Sequence, residues 1–169
     1  SSNRKGAGDF TAYVYDFETK TEQELVFGDK KWKLIELSDV SRDGKYLLYF
    51  GRHQGDLLDN LYYFDLVDGT NHQLTDEPAF HEWGQVISYD GKWLAYTSEK
   101  DSKGFFEIYI NRFPKMDQEI RISKGNGEEP KWLPDGSGVY YRNGLQWMKV
   151  PLKLGGEPEI GEPEVFFEG

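Results

Sequence analysis

The sequence predicts an all-β fold, a β-propeller of four-stranded antiparallel blades. One decapeptide occurs three times, as SRDGKYLLYF at 41–50, SYDGKWLAYT at 88–97 and LPDGSGVYYR at 133–142. Aromatic residues, 16% of the chain, favour pleated, half-buried strands, and 19 glycines and seven prolines supply turns. No stretch keeps the apolar spacing of a helix for long. Repeated short strands without helices are typical of a propeller.

The first predicted element of each repeat is a hairpin, with one strand on each side of an Asp-Gly pair. Glycine tolerates positive φ and aspartate hydrogen-bonds its own backbone, so the pair makes a tight turn. Successive pairs lie 47 and 45 residues apart, which matches the period of a propeller blade. The residues of the three turns are Asp43, Gly44, Asp90, Gly91, Asp135 and Gly136.

The next two elements are a tyrosine-rich third strand and a short fourth strand. The third strand reads LYYFDL at 61–66 and EIYINRF at 107–113, and the fourth reads HQLTD at 72–76 and EIRIS at 119–123. A lone four-stranded sheet cannot bury both of its faces, so successive repeats must stack on each other. We therefore interpret the five tryptophans and most tyrosines as packing between blades.

The spacing predicts one partial propeller of about three and a half blades. Residues 1–33 form a half blade of outer strands, and three whole blades follow at 34–79, 80–126 and 127–169, the last ending on EVFF at 164–167. Closed propellers have four to eight blades. We therefore expect the missing blades to come from the rest of a longer chain or from a partner.

Charge and composition exclude several classes of function. The formal net charge is −10, from 30 acidic and 20 basic residues, which disfavours both nucleic-acid binding and an anionic membrane surface. The longest apolar run, residues 46–50, is too short for membrane insertion, and no signal-peptide pattern opens the chain. The chain has no cysteine, so disulfides, thiolate catalysis and cysteine-ligated zinc are excluded.

We find no catalytic constellation, cofactor motif or metal site in the sequence. His53, His72 and His81 are 19 and 9 residues apart, which matches no metal-ligand spacing. The glycine cluster KGNGEE at 124–129 lacks the strand–loop–helix setting of a phosphate loop. With thirty acidic residues in the chain, paired carboxylates are best interpreted as solvated surface. The expected protein is not an enzyme.

The repeats resemble those of TolB-type propellers. The resemblance rests on S-x-D-G-K-x-L-x-Y, on the strand LYYFDL and on the closing Leu-Thr of HQLTD. Residues 88–152 are also similar to the propeller regions that follow the kinase domain in bacterial serine/threonine protein kinases. This resemblance implies a non-catalytic binding or sensor module of a bacterial signalling protein. It favours a periplasmic or extracytoplasmic location and leaves a cytoplasmic one open.

Two alternatives remain open from the sequence. Prolyl-oligopeptidase-type serine peptidases use similar blades as a substrate-gating propeller, with the G-x-S-x-G nucleophile motif in a separate hydrolase domain. The second alternative is a TolB-like periplasmic scaffold. The sequence outside this chain would discriminate between these alternatives and a sensor.

Antiparallel strand order predicts that the Asp-Gly turns share one rim and the longer loops share the other. Loops on a rigid scaffold are common binding sites, so we expect a protein, peptide or small-molecule ligand at the long-loop rim. The connection PAFHEW at 78–83 is unusually aromatic and has two interpretations: a hydrophobic plug between blades, or part of this site. The candidate ligand-binding residues are Arg52, His53, Phe80, His81, Trp83 and Asp101.

Overall fold

The computed structural model describes residues 12–27, 31–101 and 104–168. Within these ranges the chain forms fifteen strands joined by turns and contains no helix. It accordingly has no helix there that could cross a membrane. Residues 1–11 and 28–30 of the predicted half blade lie outside the described residues. The all-β prediction is confirmed.

The strands form one two-stranded sheet followed by three larger antiparallel sheets. The small sheet pairs β1 (Ala12–Asp16) with β2 (Thr21–Leu25). The next sheet contains β3 (Trp32–Val40), β4 (Tyr46–His53), β5 (Asn60–Asp65) and β6 (Thr70–Gln73). The third contains β7 (Glu82–Ile87), β8 (Trp93–Ser98), β9 (Glu107–Arg112) and β10 (Ile120–Arg121). The strands of these sheets follow each other in space as in sequence, as in the blades of a propeller.

The last sheet differs from the others at its outer edge. It contains β11 (Glu128–Trp132), β12 (Gly138–Asn143), β13 (Gln146–Lys153), β14 (Glu159–Ile160) and β15 (Glu164–Glu168). Both β14 and β15 pair with β13, at its C-terminal and N-terminal halves respectively. The predicted outer strand EVFF is therefore present as β15, and β14 is an additional strand that the repeat did not predict.

The Asp-Gly turns are closed by a repeated set of hydrogen bonds. In the first turn the amide of Gly44 donates to the carbonyl of Ser41 over 2.9 Å, and the Ser41 hydroxyl donates to Asp43 Oδ1 over 2.8 Å. The same two bonds recur in the second turn, at 2.9 and 2.7 Å. Gly44 and Gly91 both have φ of 72°, which a side chain would strain. The hydrogen bond from Ser41 holds the pKa of Asp43 below its ordinary value.

Three hydrophobic clusters fill the spaces between successive sheets. The repeat places a fully buried tyrosine at the same position of each blade, namely Tyr49, Tyr96 and Tyr141. Their cross-strand neighbours are Tyr62, Tyr109 and Met148. The first two tyrosine pairs stack with ring centroids 5.3 and 5.9 Å apart. Each blade thus presents a broad apolar face to its neighbour, as the stacked architecture requires.

Polar side chains also join the inner strand of one blade to the neighbouring blade. Gln85, fully buried on β7, donates to the carbonyls of Tyr49 and Tyr62 in the preceding blade. Asp39 on β3 accepts a hydrogen bond of 3.0 Å from the amide of Ile87. The indole of Trp132 on β11 donates to the carbonyl of Val86 over 3.1 Å. These directional bonds fix the inner strands relative to each other.

Candidate functional site

The inner strands β3, β7 and β11 each carry a one-residue bulge at the same position of the repeat. The pairing register shifts between Leu37 and Asp39, between Trp83 and Val86, and between Glu128 and Lys131. An extra residue bends a strand and re-aims its side chains, and such bulges are common next to binding sites. The three bulges lie side by side where the inner strands meet.

A cavity of about 270 Å³ opens between these bulges. Three aromatic residues line it, namely Phe50, Trp83 and Trp147. Trp83 is held by Phe106, at a ring-centroid distance of 5.8 Å, and lies 6.5 Å from Phe50. Three charged residues also line the cavity, namely Glu36, Glu129 and Lys131. Aromatic walls with a few polar groups are typical of ligand pockets.

Glu129 has an unusual backbone conformation in this cavity. Its φ is 57°, in the left-handed region that favours glycine. Arg142 holds its carboxylate, with Nε–Oε2 and Nη2–Oε1 distances of 3.1 and 3.2 Å. The same guanidinium donates to Glu128 Oε2 over 2.6 Å. The strained residue is therefore fixed by an ion pair, and its carboxylate is oriented before any ligand binds.

A second cavity, of about 290 Å³, lies next to the first, towards the Asp-Gly turns. The two cavities share Val86 and Lys131 in their linings. The second one is also lined by Arg42 and by Tyr89, whose ring lies 5.3 Å from the Arg42 guanidinium carbon. We call the two cavities together the axial groove, because they follow the inner strands of three successive blades.

Among the residues singled out from the sequence, the structure brings Arg52 and His81 together on Asp59. Arg52 Nε lies 3.3 Å from Asp59 Oδ1, and His81 Nδ1 lies 3.1 Å from Asp59 Oδ2. Arg52 also donates to the carbonyl of Leu57 over 2.8 Å. These contacts tie the β4–β5 loop to the connection between the second and third sheets. We call Arg52, Asp59 and His81 the rim clamp.

The other candidates lie elsewhere. Trp83 lines the axial groove, as described above. His53 lies against its cross-strand partner Trp32 in the same sheet, with ring centroids 3.7 Å apart and the ring planes tilted by 39°. Asp101 accepts a hydrogen bond of 2.8 Å from the Tyr109 hydroxyl, and Phe80 is half-buried in the connection before β7. A ligand-binding role for these residues remains a prediction.

Several residues that shape the groove and the rim were missed by the sequence reasoning. Glu129 could have been found, because the repeat aligns it with Gly84, which has φ of 64°. Trp147 was expected only to pack between blades. Nothing in the sequence distinguishes Asp59 from the many other acidic residues of the loops, apart from its place just before a third strand. Arg142 likewise stands out only once its carboxylate partners are known.

Glu82, at the start of β7, is a buried carboxyl group close to the rim clamp. It is 2% exposed, and its Oε2 has no hydrogen-bond partner within the described part of the chain. Burial raises the pKa of Glu82 to about 7, because the carboxylate there loses its hydration. A hydrogen bond from Thr75 opposes this rise and the charge of Glu77 adds to it.

Comparisons with known proteins address the fold. No family model matches the chain, and no curated protein matches it. The TolB structure from Agrobacterium tumefaciens matches with a TM-score of 0.65 and 20% identity, over 87% of this chain and 52% of that one. TolB from Acinetobacter baumannii matches with a TM-score of 0.66 and 18% identity, over 92% of this chain and 37% of that one. Prolyl oligopeptidase B from Galerina marginata matches with a TM-score of 0.58 and 18% identity, over 90% of this chain and 25% of that one.

These matches confirm that the chain has a partial propeller fold like that of TolB. The chain spans about half of the first of these structures and 37% of the second. Identities near 20% support a common fold and carry no site residue from one protein to another. The function must therefore be argued from the groove and the rim of this chain.

Proposed function

We propose that this chain is a non-catalytic binding module, and that the axial groove receives a peptide or small-molecule ligand. The observation that carries the proposal is the aromatic-walled cavity between the three inner-strand bulges, with Trp83 and Trp147 in its lining. The groove lies on strands that interblade hydrogen bonds hold rigidly, and a rigid site loses little entropy when it binds.

The ionisable groups of the groove are better placed to bind a ligand than to catalyse a reaction. Glu129 is paired with Arg142, and Asp39 Oδ2 accepts a backbone hydrogen bond from Ile87. Groups held in this way orient a ligand, whereas a general base or nucleophile must be placed within reach of a reacting atom. These groups therefore favour a module that binds its ligand without catalysing a reaction.

We further propose that the module is the interaction or sensor region of a bacterial signalling protein, and that other blades extend the ring. The similarity of residues 88–152 to kinase-attached propellers supports the first part. Apolar side chains exposed on the outermost strand β15 support the second, namely Val165, Phe166 and Phe167, which are 50, 60 and 56% exposed. A further blade or a partner would cover this surface.

A peptide-selection experiment tests the binding function. A phage library of random peptides is panned on the 169-residue chain, and the enriched peptides are measured against variants by isothermal calorimetry. We expect Trp83→Ala and Trp147→Ala to weaken binding, and Phe105→Ala, at an aromatic residue 63% exposed outside the groove, to leave it unchanged. Enriched peptides that bind all three variants equally would overturn the proposal, and no enrichment at all would overturn a peptide as the ligand.

A second candidate function is a substrate-gating propeller, which the fold similarity to prolyl oligopeptidase B favours. This role would require a hydrolase domain with a G-x-S-x-G motif in the same protein. The complete reading frame discriminates the two. A kinase domain and a membrane span would support the sensor, a hydrolase domain would support gating, and neither would favour a scaffold like TolB.

A further inference from the structure

The bulge end of the axial groove has the chemistry of a pocket for a positively charged nitrogen. We propose that it binds an ammonium or guanidinium group on an apolar stem, carried by a basic peptide side chain or by a free amine. This inference rests on the proposed binding function and names its ligand class. Three independent observations carry it: the aromatic walls, the balance of charge, and the strained Glu129.

The aromatic walls suit a cation and the stem that carries it. The faces of indole rings attract a cation within about 6 Å of the ring centroid, and tryptophan is the strongest of the aromatic side chains in this respect. Trp83 and Trp147 both line the cavity, each is only half-buried, and Phe50 adds a third ring. The methylene stem of a basic side chain would pack against the same surfaces.

The charges of the pocket leave one carboxylate without a partner. Arg142 is shared between Glu128 and Glu129. Glu36 lines the cavity and is exposed, and its carboxylate makes no hydrogen bond or ion pair with any residue that the structure describes. The lining itself has two carboxylates, Glu36 and Glu129, and one cation, Lys131. A single added cation restores neutrality, and the net charge of −10 attracts it over a longer range.

The backbone strain at Glu129 indicates that its carboxylate takes part in ligand binding. The corresponding position of the preceding blade is Gly84, which adopts the same left-handed conformation without strain. A non-glycine residue there costs on the order of 1 kcal/mol, and such strain is concentrated at functional sites. Arg142 then holds the carboxylate at the cavity wall. The left-handed backbone of Glu129 costs strain energy, and it places a negatively charged group in a fixed position.

Lys131 limits what the pocket accepts. It lies where the first cavity meets the second, so it repels a second positive charge carried further along the groove. Arg42, in the second cavity, adds to this effect. The preferred ligand therefore has one cationic group at the Trp83 end and a neutral or acidic portion towards Arg42.

Nuclear magnetic resonance titrations test the inference with simple probes. The indole NH signals of Trp83 and Trp147 are followed while Nα-acetyl-L-lysine amide, Nα-acetyl-L-arginine amide or n-pentylamine, which carries one positive charge on an apolar stem, is added. Nα-acetyl-L-norleucine amide serves as the uncharged probe of the same shape. We expect the charged probes to shift both indole signals and norleucine amide to bind at least about fivefold more weakly. Tighter binding of the amino-acid amides than of n-pentylamine identifies a peptide source, and the reverse order identifies free amines.

Matched variants locate the site. Glu36→Gln should weaken the charged probes about fivefold, whereas Glu157→Gln, an equal charge change at an exposed residue outside the groove, should have no effect. Equal binding of lysine and norleucine amides, or equal effects of the two glutamate variants, would overturn the inference. Library peptides that bind at Trp83 without a basic residue would also overturn it, while leaving the proposed function intact.

Discussion

Gly84 and Glu129 occupy the same position in two successive blades, and both have a left-handed backbone, with φ of 64° and 57°. Each lies in the bulge of an inner strand. The β7 bulge therefore has glycine at its left-handed position, and the β11 bulge has a charged residue held by Arg142. Glycine is enough for the backbone conformation at this position, so the carboxylate of Glu129 is needed only if the position also serves a ligand site.

This relationship predicts that Glu129→Gly keeps the fold and loses the site. Relief of the left-handed strain stabilises the variant by about 1 kcal/mol, and loss of the exposed ion pair with Arg142 costs about 0.2–1 kcal/mol. We expect the free energy of unfolding in urea to change by less than about 1 kcal/mol, while charged probes bind more weakly. Gly84→Ala, the matched change, should cost about 1 kcal/mol. A loss above about 2 kcal/mol in Glu129→Gly would instead assign the residue a structural role.

The Asp-Gly turns predict a clear difference between two glycine substitutions. Gly91 has φ of 72° and Gly155 does not adopt positive φ, and a Cβ at either position would meet nothing within 4 Å. We expect Gly91→Ala to lower the free energy of unfolding by about 1–2 kcal/mol, because the backbone is strained with a side chain. Gly155→Ala should be neutral or slightly stabilising. Equal effects in urea denaturation would contradict the role of positive φ in the turn.

The rim clamp predicts that Asp59 stabilises the long-loop rim. Asp59→Ala leaves Arg52 and His81 without their shared carboxylate, and we expect it to lower the free energy of unfolding by about 1–3 kcal/mol. Hydrogen exchange of the β4–β5 loop should become faster. Asp56→Ala, at an exposed residue of the same loop, is the control and should have little effect. Similar exchange in both variants would show that the ion pairs do not hold the loop.

Buried Glu82 predicts an unusual dependence of stability on pH. Its pKa in the folded state, about 7, exceeds the ordinary value of 4.5, so the folded state binds the proton more tightly than the unfolded state. The resulting stabilisation is complete below about pH 4.5 and is lost as the pH rises to about 7. We expect Glu82→Gln to be more stable than the original chain above pH 7, by up to about 3 kcal/mol.

The gain from Glu82→Gln should shrink as the pH falls towards about 4.5, where the original side chain is neutral as well. Urea denaturation at a series of pH values measures it. Glu157→Gln, at an exposed position, should show no such pH-dependent gain. A constant difference between Glu82→Gln and the original chain across this range would mean that Glu82 does not titrate there.

The architecture could be predicted because its causes are local and repeated. The Asp-Gly turns require a glycine at positive φ, and Gly44 and Gly91 show it as expected. Burial of large tyrosines follows from stacked sheets, and Tyr49 and Tyr96 are fully buried. The extra strand β14 was not predictable, because two paired residues leave almost no pattern in a sequence.

The candidate site was only partly predictable. The sequence drew attention to Trp83 and placed it at the long-loop rim, and the structure places its ring on the axial groove. It offered no reason to join Trp83 with Glu36 and Trp147, because these residues lie on different sheets and far apart in the chain. The pairing of Arg52 and His81 through Asp59 could not be predicted either, since Arg52 lies at the end of β4, Asp59 in the loop that follows it, and His81 in the connection before β7.

By itself the sequence determined the repeat, the strand order and the turns, since each depends on residues within one blade. Only the tertiary structure decided which side chains meet between blades, and therefore where a ligand could bind. The physical reason is that the groove is formed by bulges on three separate sheets, whose relative placement depends on interblade packing and on bonds such as that from Trp132 to Val86. No single repeat contains that information.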